Sequence, residues 1–501
     1  MKTAFIPLYD KESSKAIEEI ALKDFKISPI VLIRRAAERA LITLLDKWPA
    51  TKSIAIFCGT GNNGSDGLVL ALLAKKIGLS VSVYLVGSGA SKGHEAQNCR
   101  EECLKNGLIL QEPNRFEGHC DLVVDAIFGM GLNRPIEGVA SRAVSIINDS
   151  KKLVFSLDVP SGVDCSSGSF RGTAVRADFT LCFLALKQGL FTGFGKAAAG
   201  EVRLDTLGLE DTLKHRVDAT ARAISYSHLK GVFTPRDIAS HKGNFGHLLI
   251  LGGAPGYSGA ALLCSTAALR AGVGLTSLGT HPAHASFLTN GWPEIMCHGI
   301  TRGSDLIPLL KKSSALAIGP GLSTKPWATQ IFETVEGLQV PAVYDADALN
   351  LLAANPSCKR SRITTPHSGE AARLLGLKVD EVEADRFSAV SKISEKFGGT
   401  SLLKGPGTLI KRGREAPYVL LDGNSGMATG GMGDVLTGVI GSFLAQGFTQ
   451  EESAVIGAAV HSRAGDLIAE KFGEVGLRPS ELLDEIRSVI NLRNDVGYQN
   501  N

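Results

Sequence analysis

The sequence contains no Cys-x-x-Cys pair, no Gly-x-x-x-x-Gly-Lys-Ser/Thr phosphate loop and no internal repeat. Nor does any apolar run approach the roughly 18 residues that cross a bilayer, so no membrane partner is expected. Nine cysteines, an odd number, argue against a complete disulfide framework and for a reducing compartment. There is no basic run with interleaved aromatics and the net charge is only +3, which argues against nucleic acid as a partner. Asp10, Glu12, Glu18 and Glu19 stand near the N-terminus without a continuous apolar stretch, so neither a secretory signal nor an acid-poor transit peptide is expected, and the location is read as cytoplasmic. What is present is glycine, 57 residues of it, in a chain of 501 residues that is 44% hydrophobic and 21% charged. That length exceeds what one hydrophobic core supports, and the composition is that of a globular α/β protein with many tight turns.

Residues 13 to 47 carry helical apolar spacing up to Trp48-Pro49, with Ile17, Ala21, Leu32 and Leu44 facing inward. Short apolar runs then alternate with helical stretches: Ser53 to Cys58, Val81 to Val86, Leu122 to Asp125, Val154 to Leu157 and Phe179 to Phe183. This order predicts a parallel sheet covered by helices on both faces. Near Leu209 the pattern lapses, and Asp211 to Ser227 is polar and basic. The alternation resumes at His247 to Leu251 and continues through Leu316 to Ile318, Ala342 to Tyr344, Ser401 to Lys404 and Pro417 to Leu421. Two α/β domains are therefore expected, residues 1–222 and 223–501.

The first strand runs into Gly59-Thr60-Gly61-Asn62-Asn63-Gly64-Ser65-Asp66-Gly67, with a helix expected from near Leu68. Glycines there let backbone N–H groups approach a phosphate, although a tight βα turn reads the same way. An ordinary dehydrogenase is disfavoured, because Val81 to Gly87 ends without the acidic residue that would hold a ribose. Two further strand ends carry Asp125 and Asp158, the latter opening Asp158-Val159-Pro160-Ser161-Gly162. Each could be a simple loop cap, but polar strand ends in one sheet converge on one crevice, where oxygen ligands from Asn63, Asp125 and Ser161 could hold a hard cation.

From Ile54 to about Leu209 the chain resembles the N-terminal domain of the bifunctional NAD(P)H-hydrate repair enzymes, through these segments and Leu186-Lys187-Gln188-Gly189-Leu190. The resemblance implies a Rossmann-like three-layer domain that epimerises hydrated NADH and NADPH. It implies that Asn62, Asn63, Gly64, Ser65 and Asp66, with Gly129, Met130, Gly131, Leu132, Asn133, Arg134 and Pro135, line the hydrated-nucleotide site. By the same resemblance Asn63, Asp125 and Ser161 bind potassium and Asp158 faces the substrate; Lys187 is a catalytic candidate whose alternative is a solvated loop lysine. Inverting a carbon that bears both a hydroxyl and the ring nitrogen calls for proton transfer at that hydroxyl, and Asp158 is the carboxylate chosen for it. The chain departs from the family at Ser65 and Met130, where glycine and threonine are usual, and at Ile33-Arg34-Arg35-Ala36-Ala37, which replaces Met-Glu-x-Ala-Gly.

In the second half, Gly252 to Ala260, Gly319-Pro320-Gly321, Asp345-Ala346-Asp347 and Thr365-Pro366-His367-Ser368-Gly369-Glu370 follow apolar runs. Lys404-Gly405-Pro406-Gly407-Thr408 precedes Asn424 to Asp434, whose Gly430-Gly431-Met432-Gly433-Asp434 opens a helix expected at Val435. A glycine turn there aims N–H groups at transferring phosphate oxygens, with Asp434 placed to take a proton from an attacking hydroxyl. This arrangement resembles the anion hole of ribokinase-like enzymes, and from about His241 to Ala469 the chain resembles the ADP/ATP-dependent NAD(P)H-hydrate dehydratases. The resemblance puts Ala260, Gly321, His367 and Asp434 at the hydrated nucleotide, and Lys404, Gly405, Pro406, Gly407, Thr408 and Gly433 at ADP or ATP. Ser368 stands where proline is usual. A magnesium ion is expected on the phosphates from the chemistry, and a homo-oligomer from the resemblance alone.

Two other readings stay open: a ribokinase-like kinase for a vitamin precursor with a passive N-terminal partner, and an N-terminal binding or scaffolding module. His281 and His284 are separated by a proline that argues against a helical metal face, Cys99 and Cys103 read as packing residues, and His461 as a satisfied structural histidine.

Overall fold

The computed structural model describes residues 5–87, 94–209, 216–229, 231–288 and 290–491. Residues 211–215 of the polar stretch expected between the domains lie outside that set. The chain divides into two compact units, Pro7–Ala221 and Arg222–Asn501 with Met1–Ile6.

The first unit holds a seven-stranded, all-parallel sheet in the order β4-β3-β2-β5-β6-β7-β8. Its strands are β2 (Ser53–Cys58), β3 (Ser80–Leu85), β4 (Leu110–Gln111), β5 (Leu122–Ala126), β6 (Leu153–Leu157), β7 (Phe179–Phe183) and β8 (Glu201–Asp205). Alternation along a strand sends successive side chains to opposite faces. Ile54, Ile56 and Cys58 accordingly pack under helices α1 (Lys11–Lys23), α2 (Pro29–Lys47), α3 (Asn62–Lys76) and α4 (His94–Lys105), while Ala55 and Phe57 pack against α5 (Gly138–Asp149). The strand order reverses between β2 and β5, and a crevice opens there at the strands' carboxyl ends.

The helix expected over residues 13 to 47 is two helices. Pro29 has no N–H to give and tolerates only a helix's first turn, so it opens α2 and holds Ser28 extended (φ −70°, ψ 150°). The helix expected near Leu68 begins six residues earlier, at Asn62. Its glycines pack rather than break: a Cβ on Gly64 would lie 2.0 Å from the Gly59 carbonyl oxygen, and one on Gly67 2.6 Å from Ala126 Cβ. The polar cradle is thus the first helical turn itself.

The second unit is built on an eleven-stranded mixed sheet, ordered β1-β9-β18-β17-β16-β15-β14-β13-β10-β11-β12. These are β1 (Ile6–Leu8), β9 (Ala221–Ile224), β10 (His247–Leu251), β11 (Leu275–Thr280), β12 (Ile295–Gly299), β13 (Ala315–Ile318), β14 (Ala342–Tyr344), β15 (Arg362–Thr364), β16 (Thr400–Leu403), β17 (Leu409–Arg412) and β18 (Tyr418–Leu420). Strands β10 to β16 run parallel, and β17 is antiparallel to both β16 and β18. The helices that matter for chemistry are α6 (Ser258–Arg270), α7 (Ser368–Leu375), α8 (Arg386–Phe397), α9 (Met432–Ala445) and α10 (Gln450–Phe472). Helix α9 starts at Met432, three residues before its expected start, and is nearly wholly buried. It lies close against α6 because Gly438 has no Cβ, which would otherwise stand 2.1 Å from the Cys264 carbonyl oxygen.

Two candidate active sites

The crevice of the first unit is a cavity of about 610 Å³ lined by Asn62, Asn63, Asp66, Gly129 to Arg134 and Asp158, with Lys15 and Glu18 from α1 and Ile33 and Ala36 from α2. Asp158 sits one residue past β6 in the left-handed region, φ +66°, which aspartate tolerates better than most residues. Its Oδ1 takes a short bond from the Lys187 ammonium, which also donates to the Phe183 carbonyl at 2.8 Å. Lys187 is fully buried, so it is no solvated loop lysine. Burial pushes its pKa down, yet the opposing charge of Asp158 outweighs this and leaves it above the usual lysine value. The other oxygen, Oδ2, faces Gly129, where a Cβ would stand 3.0 Å away. Asp66 is held well above the ordinary carboxylate range by burial, then by Asp158 and Glu18, and Glu18 is raised by burial and Asp158. One anchored carboxylate therefore faces two that favour protonation.

Asp125 and Ser161 come together directly. Asp125 is completely buried and takes bonds from the Ser161 hydroxyl (2.6 Å), the Ser161 N–H (2.8 Å), the Ser156 hydroxyl (2.9 Å) and the Ile127 N–H (3.2 Å). All four donors are neutral, and burial raises its pKa against their pull. Asn63 stands beside Gly129 with both amide atoms buried and without a hydrogen-bond partner. Among the described residues no group of three or more His, Cys, Asp or Glu side chains could hold a metal ion.

Three residues expected at the substrate lie outside the cavity lining. Gly64 packs on Gly59 and Pro135 is on the outer surface. Ser65, completely buried, bonds back to the Gly61 carbonyl (3.3 Å) and borders a separate small crevice with Cys58, Thr60 and Arg100. In a helix's first turn successive side chains diverge by about 100°, so Asn62, Asn63 and Asp66 reach the cavity while Ser65 cannot. Of the departures from the family pattern, Met130, Ile33 and Ala36 form cavity wall.

In the second unit the expected residues gather around Lys404. Its ammonium bonds Asp345 at 2.8 Å and lies 3.7 Å from Glu370, and a Cβ on Gly433 would stand 3.2 Å from it. Asp345, almost fully buried, also takes the Thr437 hydroxyl at 2.8 Å. Gly431 bends the chain (φ +99°) into α9, so the N–H groups of Gly433 and Asp434 fall in the first turn, where a helix offers no carbonyl partner. Burial first, and Asp345 second, push Asp434 up to about 7 against the pull of Lys404. The Lys404 to Thr408 turn closes through a Thr408 hydroxyl bond to the Gly405 carbonyl (3.1 Å). His367 caps α7, its Nδ1 accepting from the N–H groups of Gly369 and Glu370, and its own N–H bonds Glu370 at 2.8 Å. Gly321 (φ +58°) stands against Ala260, whose Cβ would be 3.2 Å from one added to the glycine.

Asp345, one residue past β14, carries the same strand-end signal as Asp125 and Asp158, whereas Glu370 lies in the first turn of α7, where no such signal marks it. His461 on α10 is buried with its ring bonded to the Met432 main chain, but Nε2 has no partner, so it is only half satisfied, and burial drives its pKa down to about 4. No helix among the described residues is long and apolar enough to cross a membrane.

The fold and sites define a two-unit α/β protein, Rossmann-like in its first unit and ribokinase-like in its second. A solved ribokinase-like superfamily protein from Enterococcus faecalis matches with a TM-score of 0.51 and 29% identity, over 54% of this chain and 95% of that one. Residues 29–189 match the family model for the YjeF-related protein N-terminus, and 248–488 that for NAD(P)H-hydrate dehydratase. The bifunctional NAD(P)H-hydrate repair enzyme Nnr of Coxiella burnetii is 40% identical over 97% of this chain and 99% of its own length. A structure of the ADP/ATP-dependent NAD(P)H-hydrate dehydratase from Bacillus subtilis, co-crystallised with ATP and Mg2+, is 29% identical over 53% of this chain and 96% of that one, with a TM-score of 0.49. The chain belongs to the bifunctional NAD(P)H-hydrate repair enzyme family.

Proposed function

We propose that the first unit interconverts the R and S forms of hydrated NADH and NADPH at the Asp158 crevice, and that the second dehydrates the S form with ADP or ATP at Asp434. The observation that carries the reading is the setting of Asp434: a carboxylate raised to about 7 at the open first turn of a buried helix, beside Lys404.

Hydroxide is a poor leaving group at neutral pH. Asp434 takes the proton of the ring hydroxyl as its oxygen attacks the terminal phosphorus, and the bond from that phosphorus to the departing nucleotide breaks. The N–H groups at Gly433 and Asp434, with Lys404, bear the charge on the transferring phosphoryl. The ring nitrogen then expels the new phosphate ester as inorganic phosphate, and loss of a proton from the neighbouring carbon restores the double bond of the reduced cofactor. Magnesium, arriving with the nucleotide, would neutralise phosphate charge; the carboxylates whose charge is felt at Asp434 are Asp345, Asp347 and Glu370.

In the first unit Asp158 Oδ2 exchanges the proton of the same hydroxyl as the ring opens or sheds water, and Lys187, bonded to Oδ1, keeps the carboxyl aimed. Potassium would be held by Asn63, whose buried amide lacks partners, with Asp125, whose buried carboxyl meets only neutral donors, and Ser161. Each Asp125 oxygen already takes two hydrogen bonds, so this residue contributes charge more than an open lone pair.

The test is purified protein with both epimers of hydrated NADH and either nucleotide, following NADH absorbance and phosphate release. Asp434→Asn should abolish both signals, while Asp158→Asn should strand one epimer. Consumption of both epimers by Asp158→Asn, faster than they interconvert unaided, refutes the epimerase assignment. Accumulation of a phosphorylated alcohol without absorbance would favour the kinase reading instead.

A further inference from the structure

We propose that Arg386 is a positioning residue that ties the loop carrying His367 to the loop carrying Lys404, so that hydrated nucleotide and adenine nucleotide bind cooperatively. This rests on the dehydratase reading of the second unit. Arg386 opens α8 and is completely buried, a costly place for a guanidinium unless its donors are spent on defined partners. Nη2 donates to the carbonyls of Lys404 (2.9 Å) and Leu403 (3.3 Å), at the root of the Lys404 to Thr408 turn. Nη1 donates to Glu383 at 2.9 Å and reaches the Ser368 hydroxyl at 3.4 Å. Ser368 in turn donates a short bond to that same Glu383 oxygen.

The two loops are thus joined through one fork of five donors in a fixed plane. Gly405 completes the fit: it adopts φ +133°, and a Cβ there would press to 2.9 Å on the Arg386 guanidinium. On the other side of Lys404, its N–H bonds the Pro366 carbonyl (2.8 Å) and its ammonium approaches Glu370, which holds the His367 N–H. A phosphate drawing on Lys404 therefore acts on a loop whose main chain, through Arg386 and Glu383, grips Ser368 next to His367.

Linkage makes the effect reciprocal: whatever factor one ligand adds to the other's affinity is returned in full. Titrating a non-hydrolysable ATP analogue by calorimetry, with and without saturating hydrated NADH, should show tighter binding in its presence by about fivefold or more. Ser368→Ala and Glu383→Gln, which leave the Arg386 bonds to the carbonyls in place, should cut that ratio at least by half, and Ser368→Thr, which keeps the hydroxyl, should retain it. Arg386→Lys should abolish it; should that variant fail to fold, the other three still decide. Independent binding in the wild-type chain, or an unchanged ratio in both Ser368→Ala and Glu383→Gln, overturns the proposal. Failure of the chain to bind either ligand would instead refute the dehydratase reading.

Discussion

Asp434 and Asp158, the two carboxylates proposed for proton transfer, stand in two different settings. Lys187 is wholly buried and spends its charge on Asp158, fixing one oxygen and leaving the other toward the cavity. Lys404 instead bonds Asp345 and approaches Glu370, and burial and Asp345 raise Asp434 in spite of the pull that Lys404 still exerts on it. A base that must be ionised to act gains activity as pH rises through its pKa. The dehydratase kcat/KM should therefore fall as pH drops through about 7, measured by NADH recovery across pH 5.5 to 9 on ionic-strength-matched buffers. Asp345→Asn removes the like charge that helps to raise Asp434, so its inflection should move to lower pH, with a lower plateau because Lys404 loses its partner. An inflection that stays in place in that variant would mean another group, such as the nucleotide's own phosphate, sets the profile.

At the level of elements, both sites depend on a helix that starts earlier than its glycines suggest. Gly64 and Gly67 look like turn residues, yet they lie inside α3 because neighbouring backbone and side chains occupy the space a Cβ would fill. Gly64→Ala would drive a methyl group to within 2.0 Å of the Gly59 oxygen and part the strand from the helix at the cradle. Epimerisation should fall by at least about tenfold while dehydration of the S form is unchanged, since ~1.4 kcal/mol of misplacement already costs a factor of ten. Coupled assays with each pure epimer separate the two. Equal loss of both activities would mean the substitution acts on folding as a whole. The same packing explains what was legible beforehand. Apolar strands buried on both faces, such as Ser53–Cys58, Phe179–Phe183 and His247–Leu251, could be read to the residue. The edge strands Glu201–Asp205 and Leu110–Gln111 could not, because one is half polar and the other two residues long. The positions of Asp158 at a strand end and of Asp434 at a helix start were also legible. The burial of Lys187 could not, because it arises from a partner 29 positions away, nor could the turning away of Ser65, because it depends on where α3 begins.

For the molecule as a whole, the two chemistries need each other only through the S epimer. Dehydration draws that form away and releases phosphate, so a reversible epimerisation is pulled to completion by a step driven with nucleotide. Each unit has its own core: Ile56, Val124 and Phe155 lie in one, Ile250, Val343 and Ile440 in the other. A defect confined to one site therefore need not disable the other. Asp158→Asn should recover only the S portion of a mixture of epimers, and Asp434→Asn should recover nothing. An equimolar mixture of the two variants should then restore full recovery of NADH, because the R form can be epimerised on one molecule and dehydrated on another through solution. Recovery that halts at the S fraction despite added Asp434→Asn, with that variant's epimerase confirmed separately, would mean that substrate passes between the sites of a single molecule without release. Full recovery whose rate scales with the concentration of Asp434→Asn would establish free exchange, and would make joining the two units in one chain a matter of matched supply rather than of channelling.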